Sequence, residues 1–169
     1  MQVKRKLYCG GKFAFDYQKQ DYETQVKNDY RANILGNFHL LLDNNKCVEI
    51  TENVNYIGPF YFETDGMIDK DIVSTEKQMI EQCTDAIFLL DDGLCPGTIS
   101  ELIYASTLSK TIHIFYIKRK DTEETESTLH SPCWYPIILS EQLNNKTIIY
   151  SCDSFDDANQ KMKKIINSF

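Results

Sequence analysis

Two uninterrupted apolar runs, "DAIFLLD" (residues 85–91) and "TIHIFYI" (111–117), constrain the fold of this chain more than any other feature. Each has the length of a strand and is bounded by helical patterns: a stripe from about Asp69 to Cys83 before the first, and a helix from about Thr98 to Ser109 between the two. Strands joined through helices pair in parallel by crossovers, so both faces of the sheet are covered. The expected class is α/β, a Rossmann-like (flavodoxin-like), mostly parallel sheet of about five strands with helices on both faces. In such sheets the ligand crevice lies at the carboxyl ends of the strands.

The rest of the chain fits that pattern as one domain over residues 1–169, without internal repeats. The alternation of Val3, Arg5 and Leu7 in "VKRKLYCG" predicts the first strand, with a Gly10-Gly11 exit. Tyr22, Val26, Tyr30 and Ile34 recur at steps of four and predict one helix from Asp21 to Leu35, stopped by Gly36. The segments "FHLLLD", "KCVEI" and "VNYIGPFYF" are apolar enough for at least one core strand, although Gly58-Pro59 interrupts the last. A charge-rich loop, "KRKDTEETESTLHS", precedes the apolar "WYPIIL" and "KTIIYS" and a final helix from Phe155.

Charge and cysteine usage exclude several classes of function. A formal net charge of -7 disfavours a nucleic-acid polymer as partner and leaves small molecules open. No stretch approaches the roughly 18 apolar residues of a membrane span, and "MQVKRKLYCGG" lacks the apolar core of a signal peptide. A cytoplasmic protein with no membrane partner is expected. The six cysteines lie singly, without C-x-x-C pairs or histidines at ligand spacing, which predicts reduced thiols, no metal and no cofactor. His39, His113 and His130 are isolated, and His113, inside an apolar strand, is expected to be a satisfied core residue.

Three segments converge at the strand ends: Tyr8 to Phe15, Asp91 to Glu101, and the start of the helix near Glu76. Glu76 falls four residues after Ile72 and four before Ile80, on the apolar stripe; it either faces inward or snorkels from the stripe's edge. Thr98-Ile99-Ser100-Glu101 matches a capping box, in which Glu101 merely satisfies a helix end. The same address at a helix N-terminus favours an ionised carboxylate, as nucleophilic attack on a sugar carbon requires.

"KLYCGG" leading into Phe13, then "IEQCTDAIFLLDD", then "GTISELIYA", in that order and spacing, resembles the nucleoside 2-deoxyribosyltransferase family and the related deoxynucleoside-monophosphate N-glycosidases. The resemblance spans roughly Lys6 to Tyr116 and is most specific at the G-T-x-x-E step. It implies that Glu101 is the nucleophile, that Tyr8 hydrogen-bonds it, and that Glu76 helps hold the substrate. It implies transfer or hydrolysis at the N-glycosidic bond of a (deoxy)nucleoside or nucleoside monophosphate through a covalent glycosyl-Glu intermediate, with Asp92 or Glu76 protonating the departing base. Asp91, Gly10, Gly11, Gly97 and Thr98 are the expected substrate contacts, and Phe13, Phe60 and Tyr61 either stack on a base or pack the core. Tyr104, one turn after Glu101, is expected beside it. The family is homo-oligomeric, and the segment around Trp134 is the candidate contact surface. This sequence departs from the family at Pro96, where an Asp is usual, and at Glu76, where many members carry Asp. The Pro96 departure motivates the alternative of a nucleotide-binding sensor without turnover. "PGTxxE" is also similar to the phosphate-binding step of the cytokinin-activating phosphoribohydrolases, which likewise cleave a base from a sugar phosphate.

Overall fold

The computed structural model describes residues 4–12, 22–42, 47–60, 69–91, 95–118 and 133–169. The elements run β1 (Arg5–Gly11), α1 (Tyr22–Lys27), α2 (Tyr30–Leu35), α3 (His39–Leu42), β2 (Val48–Thr51), β3 (Val54–Gly58), α4 (Asp69–Gln82) and β4 (Asp85–Leu90). They continue with α5 (Pro96–Ser106), β5 (Thr111–Ile117), α6 (Trp134–Leu143), β6 (Thr147–Cys152) and α7 (Phe155–Ser168).

The sheet has six strands in the order β2-β3-β1-β4-β5-β6. β3, β1, β4, β5 and β6 are mutually parallel, and β2 adds an antiparallel edge beside β3. Counted along the chain, the parallel strands stand in the order 2-1-3-4-5 of the flavodoxin-like doubly wound fold. The expected sheet of about five strands is therefore present with one strand added, because "KCVEI" and "VNYIG" both pair, joined at Glu52-Asn53. The chain leaves β1 toward β3 on one side and returns to β4 on the other. The exit of β1 is thus the topological switch point, where such sheets open a crevice.

Strand parity divides the core into two layers. Leu7, Cys9, Ile87, Leu89 and Phe115 pack with Val26, Ile34, Met162 and Ile166 on one face. Tyr8, Ala86, Phe88, Leu90, Ile112 and Ile114 pack with Ile80, Leu102, Ala105 and Ile137 on the other. The central strands are buried on both faces, which is why β4 and β5 read as unbroken apolar runs. Fully burying one such Leu, Ile or Phe side chain stabilises by about 1.5–3 kcal/mol.

Two local readings of the sequence change, and "WYPIIL", which the sequence left without an assignment, gains one. The helix expected from Asp21 to Leu35 is two helices, because Asp29 adopts an extended backbone and its carboxylate accepts from the Arg31 N–H at 2.8 Å, capping α2. Gly36 ends α2 in the left-handed conformation at φ 68°, as expected. "FHLLLD" contributes the single-turn α3 rather than a strand, its start held by the Asn37 side chain accepting from the His39 N–H at 3.0 Å. "WYPIIL" opens helix α6, where Pro136 falls in the first turn and removes an N–H that has no partner there. Trp134 and Tyr135 on that turn are more than half exposed. Among the described residues, no helix is long and apolar enough to cross a membrane.

Candidate active site

Helix α5 starts earlier than the capping-box pattern suggests. Cys95 is its N-cap without any side-chain cap hydrogen bond, and Pro96, with its preset φ and missing N–H, takes the first helical position. Thr98 is consequently inside the helix and buried, and Glu101 lies in the second turn, beyond the orphan N–H groups that a capping box would satisfy. The structural explanation for Glu101 is removed, and its side chain reaches the end of β1 instead.

There it lies against Gly10. The Glu101 Oε2 atom is 3.0 Å from the position a Cβ on Gly10 would occupy, and two atoms of the Phe88 ring are 2.4 and 2.5 Å from it. Gly10 is required here because the carboxylate and the ring both occupy the space of its missing side chain. Tyr8, two residues earlier on the same face, is fully buried with its ring 6.2 Å from that of Phe88. Its hydroxyl approaches Glu101 closely enough for each to move the other's titration, yet it makes no hydrogen bond of full geometry. Glu76, partly buried on α4, completes the group, close enough to Glu101 for the two carboxyls to affect each other's titration.

Burial sets the electrostatics. The Glu101 carboxyl is pushed up to about 7, first by desolvation and then by the negative charge of Glu76, while Tyr8 and Arg31 act in the opposite direction. Glu76 is also raised by burial, offset by its hydrogen bond to Glu101 and by Arg31. Two adjacent, poorly solvated carboxylates do not both ionise readily, so the pair retains one shared proton near neutrality. Burial and the Glu101 charge hold the Tyr8 phenol well above its ordinary range, so it faces the pair as a neutral donor.

The other expected site residues divide. Gly97 is exposed in the first turn of α5, with none of the described residues within 4 Å of where a Cβ would stand, and Asp91 is partly buried directly after β4. Gly11 points to the opposite layer, where the Tyr30 ring lies 2.9 Å from its would-be Cβ, so that glycine makes room for core packing. Phe60 is 3% exposed and meets Tyr56 edge-on at 5.1 Å in the core, which is the packing alternative for that residue. The Tyr104 hydroxyl donates to the Glu81 carboxylate. Asp92, Phe13 and Tyr61 lie outside the described residues.

Sequence reasoning missed Tyr30 and Arg31. The Tyr30 hydroxyl donates to the Gly10 carbonyl at 2.8 Å, and the Arg31 guanidinium donates to the carbonyls of Cys9 (2.8 Å) and Gly11 (2.6 Å) and to the Asp29 carboxylate (2.5 Å). Arg31 has no exposed surface. The available signal was Asp29, a good N-cap residue two positions before the arginine, which breaks the long helix and turns α2 toward β1.

Fold and site together define a doubly wound α/β protein with a paired carboxylate at its switch point. Among solved structures, the chain is similar to the CMP N-glycosidase BcmB of Clostridium botulinum, with a TM-score of 0.54 and 13% identity over 95% of this chain and 99% of that one. It is also similar to a mutation variant of SsGBP, with a TM-score of 0.50 and 12% identity over 98% of this chain and 56% of that one. No protein-family model matches the sequence, and no curated protein matches it either. At these identities the likeness establishes the fold.

Proposed function

We propose that this chain breaks the N-glycosidic bond of a nucleoside or nucleoside monophosphate, with Glu101 as the nucleophile. The observation that carries the reading is the Glu101–Glu76 pair beside Tyr8, at the topological switch point of a fold shared with a CMP N-glycosidase. One shared proton supplies what the first step needs: an ionised carboxylate to attack and a protonated acid to donate.

In that step a Glu101 oxygen bonds to C1′ as the C1′–N bond breaks, through an oxocarbenium-like transition state. The leaving nitrogen carries off the bonding electrons and takes a proton from Glu76 or from Asp92. The Tyr8 hydroxyl and the Arg31 charge both favour the ionised form of Glu101. In the second step water attacks C1′, the ester to Glu101 breaks, and the acid that gave its proton recovers one from the water. A second base in place of water makes the reaction a transfer.

CMP heads the substrate panel because of the fold similarity, followed by other ribo- and deoxyribonucleosides and their monophosphates, each with and without a free acceptor base. Chromatography should detect a released base with the wild type and none with Glu101→Gln. A 2-fluoro-2-deoxy substrate should leave a mass adduct on Glu101, since the fluorine slows its breakdown. Absence of base release across the panel, or release undiminished in Glu101→Gln, overturns the proposal. Nucleotide binding by calorimetry without turnover favours the sensor reading that Pro96 motivates.

A further inference from the structure

Among the described residues, Arg31 is the largest fully buried side chain: a guanidinium with no exposed surface, reaching from α2 to the end of the strand that carries Tyr8 and Gly10. Its fork holds the carbonyls on either side of Gly10, those of Cys9 and Gly11, while Tyr30 holds the carbonyl of Gly10 itself. Three consecutive carbonyls at the exit of β1 are thus fixed by two neighbouring residues of α2. Gly10 is also the residue over which the Glu101 carboxylate lies. A buried guanidinium needs its donors satisfied and its charge countered. Asp29 provides one negative partner at 2.5 Å, and the Glu101–Glu76 pair is near enough to respond to the same charge.

We propose that Arg31 is a positioning residue for the Glu101–Glu76 pair, clamping the strand end on which the pair rests and setting a fixed positive charge beside it. The inference rests on the proposed role of Glu101. It assigns to α2 a part in the site that no motif of the sequence marks. Among the described residues, the charged and titratable groups around the pair are Tyr8 from β1, Glu76 and Glu101 themselves from α4 and α5, and Asp29, Tyr30 and Arg31 from α2. Of these, Arg31 carries the positive charge. Removing it therefore lets the shared proton persist to higher pH, whereas a purely structural clamp changes only the melting temperature.

The test is the titration of the pair by infrared spectroscopy of the protonated carboxyl, assigned through its loss in Glu101→Gln, together with the pH profile of kcat/KM for base release. In Arg31→Met the infrared midpoint and the alkaline limb should both move up by about one pH unit, and Arg31→Lys, which keeps the charge but not the fork, should restore the midpoint while kcat stays low. Asp29→Asn keeps an oxygen for capping and removes the countercharge, so its midpoint should move down, and it serves where Arg31→Met does not fold. A midpoint unchanged in the folded variants overturns the inference even if base is released. A midpoint that moves in a chain that releases no base from any substrate leaves the inference standing and overturns the proposed reaction.

Discussion

The carboxylate of Glu101 occupies space that only a glycine at position 10 leaves free, its Oε2 atom lying 3.0 Å from where a Gly10 Cβ would stand. Carboxylate and strand end are fitted to each other, and the Phe88 ring lies against the same point. The site is therefore sensitive to a single methyl group.

Gly10→Ala tests that fit. The added methyl cannot be accommodated without moving an aromatic ring in the core and the carboxylate above it. Overpacking of this kind costs about 1–3 kcal/mol of stability, and a displacement of the reacting group by an ångström costs on the order of 100-fold in rate. Thermal denaturation and base release should both fall. A variant with wild-type stability and turnover would show that Glu101 is not held against β1.

Glu101→Gln should stabilise the fold at alkaline pH. The folded-state pKa of Glu101, raised by burial to about 7, stands above its ordinary value of 4.5. Its contribution to stability is complete below pH 4.5 and is lost as the pH rises through 7, because folding then forces a second charge beside Glu76. The amide carries no such charge. Urea denaturation at pH 8 should find Glu101→Gln more stable than the wild type by on the order of 1–3 kcal/mol, with the difference shrinking toward pH 5. Parallel curves at both values would refute a shared proton.

Tyr8→Phe separates stability from activity. The hydroxyl is buried without a hydrogen bond of full geometry, so its desolvation is poorly compensated. Removing it should leave stability unchanged or raise it by about 1 kcal/mol. If the hydroxyl orients Glu101 and supports its ionised form, base release should nevertheless drop by about 10- to 100-fold, equivalent to about 1.4–2.7 kcal/mol of barrier. Loss of both properties together would make Tyr8 a core residue.

The parts of this design that lie in local pattern were legible, and those that depend on tertiary approach were not. β4, β5, α4 and α7 follow from unbroken apolar runs or helical stripes, and their alternation carries the doubly wound order with it. The stripe on α4 left Glu76 between an inward and a snorkelling position, and only the approach of α5 gives it a partner. At α5 the Thr98-x-x-Glu101 spacing imitates a capping box, while Pro96 fixes the true start. Arg31 reads as a solvated helix residue because nothing in its neighbourhood states that three carbonyls of β1 will end beside α2. The expectation for His113 was half fulfilled: it is in the core, with its Nδ1 3.2 Å from the Tyr150 hydroxyl, but its Nε2 is buried without a hydrogen bond.

That orphaned nitrogen gives the fold an acid-sensitive point away from the carboxylate pair. His113 lies between Tyr150, stacked with centroids 5.9 Å apart, and Phe169, at 5.8 Å, and burial holds its pKa below the ordinary 6.5 despite the opposing charge of Asp85. A histidine depressed in this way contributes stability above pH 6.5, and that contribution is lost as the pH falls through the folded-state value, because the unfolded chain then binds the proton more readily. His113→Phe would keep the aromatic stacking and remove the titrating group. Its stability, followed by urea denaturation from pH 7.5 to pH 5, should decline less than that of the wild type, and an equal decline in both proteins would place the acid sensitivity elsewhere.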